Sequence, residues 1–236
     1  MRYNGSILQK EAVYFMKKTF GILNAITITV AAVAFILYRN GAVSKGVASF
    51  GFVLIGIVNL IYALQCKKQA LRFPSLMASG LLFCMLGDVV IDLNFIIGAA
   101  IFALGHVFYC VAYTGLDRFK AKDLIPICLF FTASTLLITL APIFHFDSPV
   151  LQIVCIVYAL IISCMVGKAI MNCIDKPNIA RSIMLIGSCL FFFSDLMLVF
   201  DWFAGVSIAG PICLGTYYPA QYLLAFSVYC YINKEA

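Results

Sequence analysis

Eight apolar runs set the limits on what this chain can become. They cover residues 20–38, 47–66, 74–93, 95–113, 124–144, 150–171, 183–203 and 208–232. Most approach the length of about 20 residues that a helix needs to cross the hydrocarbon of a bilayer. The links between them are short, so a second, soluble domain has no place to form. With 64% of 236 residues hydrophobic and only 11% charged, the chain lies far from soluble domains, where about a quarter of residues are charged. The reading is one all-α polytopic membrane domain over residues 1–236 with eight transmembrane helices.

A formal charge of +6 could point to nucleic acid or to anionic lipid, and its distribution decides between them. Arg2, Lys10, Lys17 and Lys18 precede the first run; Lys67, Lys68 and Arg72 follow the second; Arg118, Lys120 and Lys122 follow the fourth. Lys168, Lys176 and Arg181 surround the link after the sixth, and Lys234 closes the chain. With eight spans, 14 of the 16 basic residues lie on one side, and Arg39 and Lys45 lie on the other. The positive-inside rule then makes both termini cytoplasmic. The charge is a topology signal whose expected partners are anionic headgroups, not nucleic acid. A cleaved signal over the first run would leave seven spans, and the length of that run argues against it. The ten cysteines include no two closer than nine residues and read as small apolar fillers.

The third and seventh runs resemble each other. Gly80 to Gly98, GLLFCMLGDVVIDLNFIIG, lies without a gap on Gly187 to Gly205, GSCLFFFSDLMLVFDWFAG. The match pairs Gly80 with Gly187, Asp88 with Asp195, Phe95 with Trp202 and Gly98 with Gly205. Both runs cross in the same direction, so the expected plan is a parallel 4+4 repeat with halves 17–115 and 123–233.

Asp88 and Asp195 are the residues that most need a reason. A charge in hydrocarbon costs several kcal/mol, roughly 3 on insertion scales, so such groups face a cavity or a partner. At about 1.5 Å per residue each sits about 20 to 25 Å from the basic cluster, in the outer half of the membrane. Asp92 and Asp201 follow at the outer interface, and no basic residue is expected level with the four. Two inner carboxyls of unequal protonation are the equipment of general acid and general base catalysis. On the fourth run His106 and Tyr109 share a face, with Tyr113 a turn further on. In the last run, TYYPAQYLL places Tyr217, Tyr218 and Gln221 within a turn, and Pro219 opens the backbone there. Tyr217 fits an interfacial belt, whereas Gln221 lies deeper. Asn24 and Asn59 are best read as helix-pairing amides. With only His106 and His145 in the chain, a three-histidine zinc site is excluded, and no metal or cofactor is expected.

The motifs GLLFCMLGDVVI, GAAIFALGHVFYCVAY, GSCLFFFSDLMLVF and YYPAQYLL, in this order, resemble the YhhN / lysoplasmalogenase family of eight-span membrane proteins, from about Leu71 to the end of the chain. The resemblance implies cofactor-free hydrolysis of the vinyl ether bond of lysoplasmalogens, giving a fatty aldehyde and glycerophosphocholine or glycerophosphoethanolamine, with a lysophospholipid substrate drawn from membrane lipid. It places the family's aspartates on Asp88 and Asp195, its histidine on His106, its tyrosine on Tyr109, and its late Tyr/Gln pair on Tyr218 and Gln221. These four are expected to orient water or the headgroup side of the substrate, with Asp92 and Asp201 as secondary acids. The competing readings are a proton-coupled transporter and a lipid-binding sensor; oligomeric state is left open. Short loops and a compact N-terminus suggest a bacterial plasma membrane.

Overall fold

The computed structural model describes residues 3–37, 42–66 and 71–235. Arg2, Arg39, Lys67 and Lys68 of the topology argument lie outside the described residues, as do the side chains of Lys10 and Lys234. The chain forms α1 (Tyr3–Leu37), α2 (Ala42–Cys66), α3 (Arg72–Val90), α4 (Phe95–Leu116), α5 (Leu124–Leu140), α6 (Pro149–Asp175), α7 (Ile179–Ala204) and α8 (Ala209–Glu235). A single 3-10 turn, Ala121–Asp123, precedes α5, and no strand occurs among the described residues. Among the described residues six helices, α2 to α7, are long and apolar enough to cross a membrane. The tyrosines, proline and glutamine of α8 dilute its apolar character, although at 27 residues it is as long as α6.

Local chemistry sets the helix ends. Asn94 and Ser148 cap α4 and α6 by accepting from Ile97 N and Leu151 N, and Pro149 occupies the first turn of α6, where no N–H is missed. Ala141, extended ahead of Pro142, ends α5 four residues before its apolar run does. Gly205 ends α7 in the left-handed conformation, φ 64°, which a glycine adopts without strain. At the other extreme α1 starts far ahead of its apolar run and carries Lys17 and Lys18 on an exposed face.

Packing follows an ordered scheme. Within residues 3–116, α1 lies on α2, α2 on α3 and α3 on α4; within residues 124–235, α5 lies on α6, α6 on α7 and α7 on α8. The two sets meet through α4 on α6 and α8 on α2. The gapless match of the third and seventh runs holds in space only for its first half. Gly80, Asp88, Gly187 and Asp195 are all interior helical residues. Phe95, by contrast, opens α4 while Trp202 is still inside α7, and Gly98 is helical where Gly205 is a cap. The reason is the turn at 91–94, which ends α3 while α7 runs on.

Asn24 and Asn59 exchange side-chain hydrogen bonds of 2.8 and 3.0 Å, and Asn59 also donates to Ala225 O at 2.9 Å, so the amides join α1, α2 and α8 as read from the sequence. The end of the bundle carrying most basic residues is closed by ion pairs. Lys168, 2% exposed, meets the fully buried Asp123 at 2.7 Å; Asp175 pairs with Lys120 and Lys122; Asp117 pairs with Lys176 and Arg181. Five cations assigned to lipid headgroups therefore have partners on the chain itself.

Lys168→Met would leave Asp123 as an uncompensated buried charge, at a cost of about 3–5 kcal/mol. A lowered melting temperature in detergent, largely restored by adding Asp123→Leu, is the expected result. For Asp117, burial works to raise the pKa, but hydrogen bonds from Lys176 and Arg181 outweigh it and hold the carboxyl below its ordinary 3.8. A depressed carboxyl stabilises the fold above its unfolded range and loses that contribution as pH falls through the folded value. The melting temperature should therefore drop as pH is taken below 3.8, and Asp117→Asn should flatten that part of the profile.

Candidate active site

At the end away from the ion-paired cluster, α3, α4, α6, α7 and α8 surround a cavity of about 930 Å³, with Lys45 of α2 at its rim. Every lining residue on a helix lies in the half of its helix nearest that end. The walls are apolar, from Phe95, Ala99, Phe102, Val154, Leu198, Val199 and Leu214. Gly215 also lines the cavity, and a Cβ there would meet nothing within 4 Å, so its missing side chain is open space. Pro219 has no N–H to offer Gly215 O one turn back, yet α8 continues unbroken. The opening expected at Pro219 therefore reduces to one absent bond.

Four carboxyls face this space: Asp88, Asp92, Asp195 and Asp201. Asp88 Oδ2 lies 2.6 Å from Ser49 Oγ and accepts from Tyr217 Oη at 2.9 Å. Ser49 carries one hydrogen but also lies 2.8 Å from Lys45 O. Its single hydrogen is therefore contested between Asp88 Oδ2 and Lys45 O, and a proton on Asp88 would satisfy both contacts at once. Asp195 has the opposite surroundings. Tyr158 donates to its Oδ2 at 2.6 Å, and His106 Nε2 lies 3.4 Å from the same oxygen and 2.6 Å from Tyr158 Oη. Since Tyr158 gives its only hydrogen to Asp195, His106 must present Nε2–H, a tautomer assigned by counting hydrogens. Its Nδ1 is buried without a hydrogen-bond partner. Asp195 thus accepts from Tyr158, which His106 backs, whereas Asp88 competes with Lys45 O for its serine hydrogen.

The other residues singled out in the sequence divide into two groups. Tyr218 lines the cavity and donates to Lys45 O at 3.3 Å. His106, Tyr109 and Gln221 are fully buried and do not reach the cavity. His106 acts on it only through Tyr158 and Asp195, and Tyr109 donates to Gln221 Oε1 at 2.8 Å as part of the wall behind. These three therefore stand behind the cavity wall and not on it. The expectation that no base stands level with the acids is corrected: Lys45 Nζ is 2.8 Å from Asp92. Among the described residues no three His, Cys, Asp or Glu side chains converge to hold a metal ion.

Four residues of the site escaped sequence reasoning. Tyr217, 4% exposed, is a hydrogen-bond donor and not a belt residue. Lys45, Ser49 and Tyr158 carried no local signal, because each finds its carboxyl 37 to 47 positions away. The one available hint was that two buried acids need donors, which lone hydroxyls in apolar runs can supply.

Fold and site define an all-helical membrane protein with an acid-lined, apolar-walled cavity opening at one end. Residues 48–228 match the YhhN family, and this chain belongs to that family. The matched segment contains the whole site except Lys45. No curated protein and no solved structure matches the chain.

Behind the cavity wall α3 and α4 approach closely: a Cβ on Gly80 would come within 2.4 Å of the Tyr109 ring, and one on Gly105 within 3.2 Å of Gly80 O. Gly80→Ala should displace Tyr109 from Gln221 and cost about 1–3 kcal/mol in detergent melts. Gly115→Ala, which meets open space, should melt at or above wild type.

Proposed function

We propose that this YhhN-family protein hydrolyses the vinyl ether bond of lysoplasmalogens, releasing a fatty aldehyde and a glycerophospho-headgroup. The observation that carries the reading is the unequal pair of carboxyls, Asp88 and Asp195, facing one apolar-walled cavity. Its volume falls in the range of small-molecule sites, and its aliphatic and aromatic walls suit a single alkyl chain.

Asp88 is the acid. It gives its proton to the alkenyl carbon remote from oxygen, and the adjacent carbon becomes an oxocarbenium ion. Asp195, ionised and held by Tyr158, stabilises that cation and takes a proton from the water that adds to it, as paired carboxylates do in glycoside hydrolysis. The hemiacetal then returns its hydroxyl proton to Asp88 as the carbonyl forms. Asp195 protonates the departing glycerol oxygen, and both carboxyls are restored. Tyr217 and Ser49 orient the acid; Tyr158, backed by His106, orients the base.

The membrane arrangement proposed with this chemistry has eight spans, α1 and α8 included, and cytoplasmic termini in a bacterial plasma membrane. Two related halves are supported by the matched neighbours of α1–α4 and α5–α8. The cavity then opens to the outer leaflet, from which a single-chain lipid can slide in sideways. A transporter would need a polar route through the other half of the bundle. The polar groups there include Tyr113 with Ser188, Asn172 with Tyr113 O, Lys168 with Asp123 and Arg181 with Asp117, and they are engaged with one another in the closed end of the bundle, which favours the one-sided hydrolase.

The test is aldehyde release from lysoplasmalogen by purified protein in detergent. Asp88→Asn and Asp195→Asn should each lose at least about 100-fold in kcat; activity surviving either change overturns the two-carboxyl mechanism. Aldehyde formed in heavy water should carry one deuterium on carbon 2, from the protonation step. Tyr158→Phe should cost about tenfold, and adding His106→Asn should change it by less than about twofold, since residues acting in series are not additive.

A further inference from the structure

The reacting carbons of a vinyl ether stand at the head of its chain, so a lipid with that bond between Asp88 and Asp195 has to place the rest of its tail elsewhere. Deeper in the bundle the way is closed. Measured along their helices, Asp88, Phe102, Tyr158, Asp195 and Tyr218 are the lining residues furthest from the mouth. Behind them His106, Tyr109, Phe191 and Gln221 are fully buried; Tyr109 is bonded to Gln221, and the His106 and Phe191 rings are 4.5 Å apart. The tail therefore has to leave to the side.

Gly215 marks that side. Asp92, Trp202 and Pro211 are exposed lining residues at the mouth, but Gly215 is exposed one helical turn further in. It lies six residues beyond Ala209, about 9 Å along α8 at about 1.5 Å per residue, level with acyl chains of the surrounding lipid. Pro211, Gly215 and Pro219 recur at four-residue spacing, which keeps them on one face of α8, and all three are exposed. The adjoining face packs on α2, where Tyr218 and Tyr222 donate to Lys45 O and Ala48 O at 3.3 and 2.9 Å. Both acceptors belong to the first two turns of α2, which begins at Ala42, and Gly215 lies nearer the mouth than either tyrosine. At Gly215 the cover provided by α2 has run out: a Cβ there would meet nothing within 4 Å among the described residues.

Resting on the reading of the cavity as a lysolipid site, we propose that the bare backbone at Gly215 borders a side window through which the far part of the alkyl chain passes into the surrounding lipid. The head of the chain is held between the carboxyls, and the remainder lies outside the protein whatever its length. Gly215 is a specificity residue, not a catalytic one: a bulky side chain there stands in the path of a long tail and leaves room for a short one.

Trp202 is the only tryptophan of the chain and lines the cavity, so its emission reports occupancy without any turnover. Wild type and Gly215→Phe in a maltoside detergent are titrated with saturated ether lysophosphocholines bearing an octyl or an octadecyl chain. Affinities are compared between variant and wild type for the same lipid, which cancels partition of the lipid into micelles. Gly215→Phe should weaken the octadecyl lipid by about tenfold or more and the octyl lipid by less than about threefold. A second measurement needs no variant: wild type should bind an octadecyl lipid with an adamantyl group at its far end within about threefold of the plain lipid, because that end lies outside the protein. Exclusion of the adamantyl lipid, or a Gly215→Phe effect equal for both chains, overturns the proposal. The matching vinyl ether lipids are assayed in parallel for aldehyde. Loss of long-chain binding in Gly215→Phe with no aldehyde from wild type would sink the hydrolase and leave the window standing. Aldehyde from wild type, with both chains affected alike by Gly215→Phe, would do the reverse.

Discussion

A carboxyl group withdrawn from water must find its hydrogen bonds in protein, and most of this bundle is arranged around two that do. Asp88 on α3 is reached by Ser49 of α2 and Tyr217 of α8; Asp195 on α7 is reached by Tyr158 of α6, which His106 of α4 backs in turn. Six of the eight helices thus converge on two carboxyls. In lipid, where burying apolar surface gives helices little reason to associate, such bonds and close small-residue contacts carry the packing. The cavity lies where the two groups of helices meet, with both carboxyls directed into it.

The ends of the bundle treat charge in opposite ways. At one end every buried or half-buried carboxylate, Asp117, Asp123 and Asp175, has a lysine or arginine partner, and the structure there is closed. At the other end acids outnumber bases among the described residues: only Lys45 is near, and it is engaged with Asp92. A surplus of unpaired acid is costly to maintain in an apolar setting. Its concentration around a cavity, away from the compensated end, is the pattern expected of groups kept for chemistry and recognition.

The two sets of four helices share an order of neighbours, and each places an aspartate near the same end of its third helix. Beyond that aspartate the two chains of helices diverge. The α3–α4 turn is tight and presents Asp92 to Lys45, whereas α7 continues to Ala204 and presents Asp201 and Trp202. The surroundings of the two aspartates also differ, a contested serine hydrogen on one side and a histidine-backed tyrosine on the other. One acid and one base on related frames result from that asymmetry.

Hydrophobic run lengths were enough to determine, from sequence alone, that this is a membrane protein and where its helices run, because crossing hydrocarbon requires about 20 apolar residues in succession. Intramembrane charge was likewise enough to single out Asp88 and Asp195, since nothing local could repay their burial. The amide pair Asn24 and Asn59 was legible for the same reason. What surrounds each aspartate was decided only by the tertiary structure. Tyr158, Tyr217, Ser49 and Lys45 are ordinary residues in their own segments and become a site by meeting carboxyls on other helices, contacts that leave no periodic trace in the chain. His106, Tyr109 and Gln221 show the converse: their residue types suggested contact with substrate, but helix rotation turned them into the supporting wall. Sequence records how well each side chain tolerates hydrocarbon; which of them face one another depends on how the helices rotate and pack.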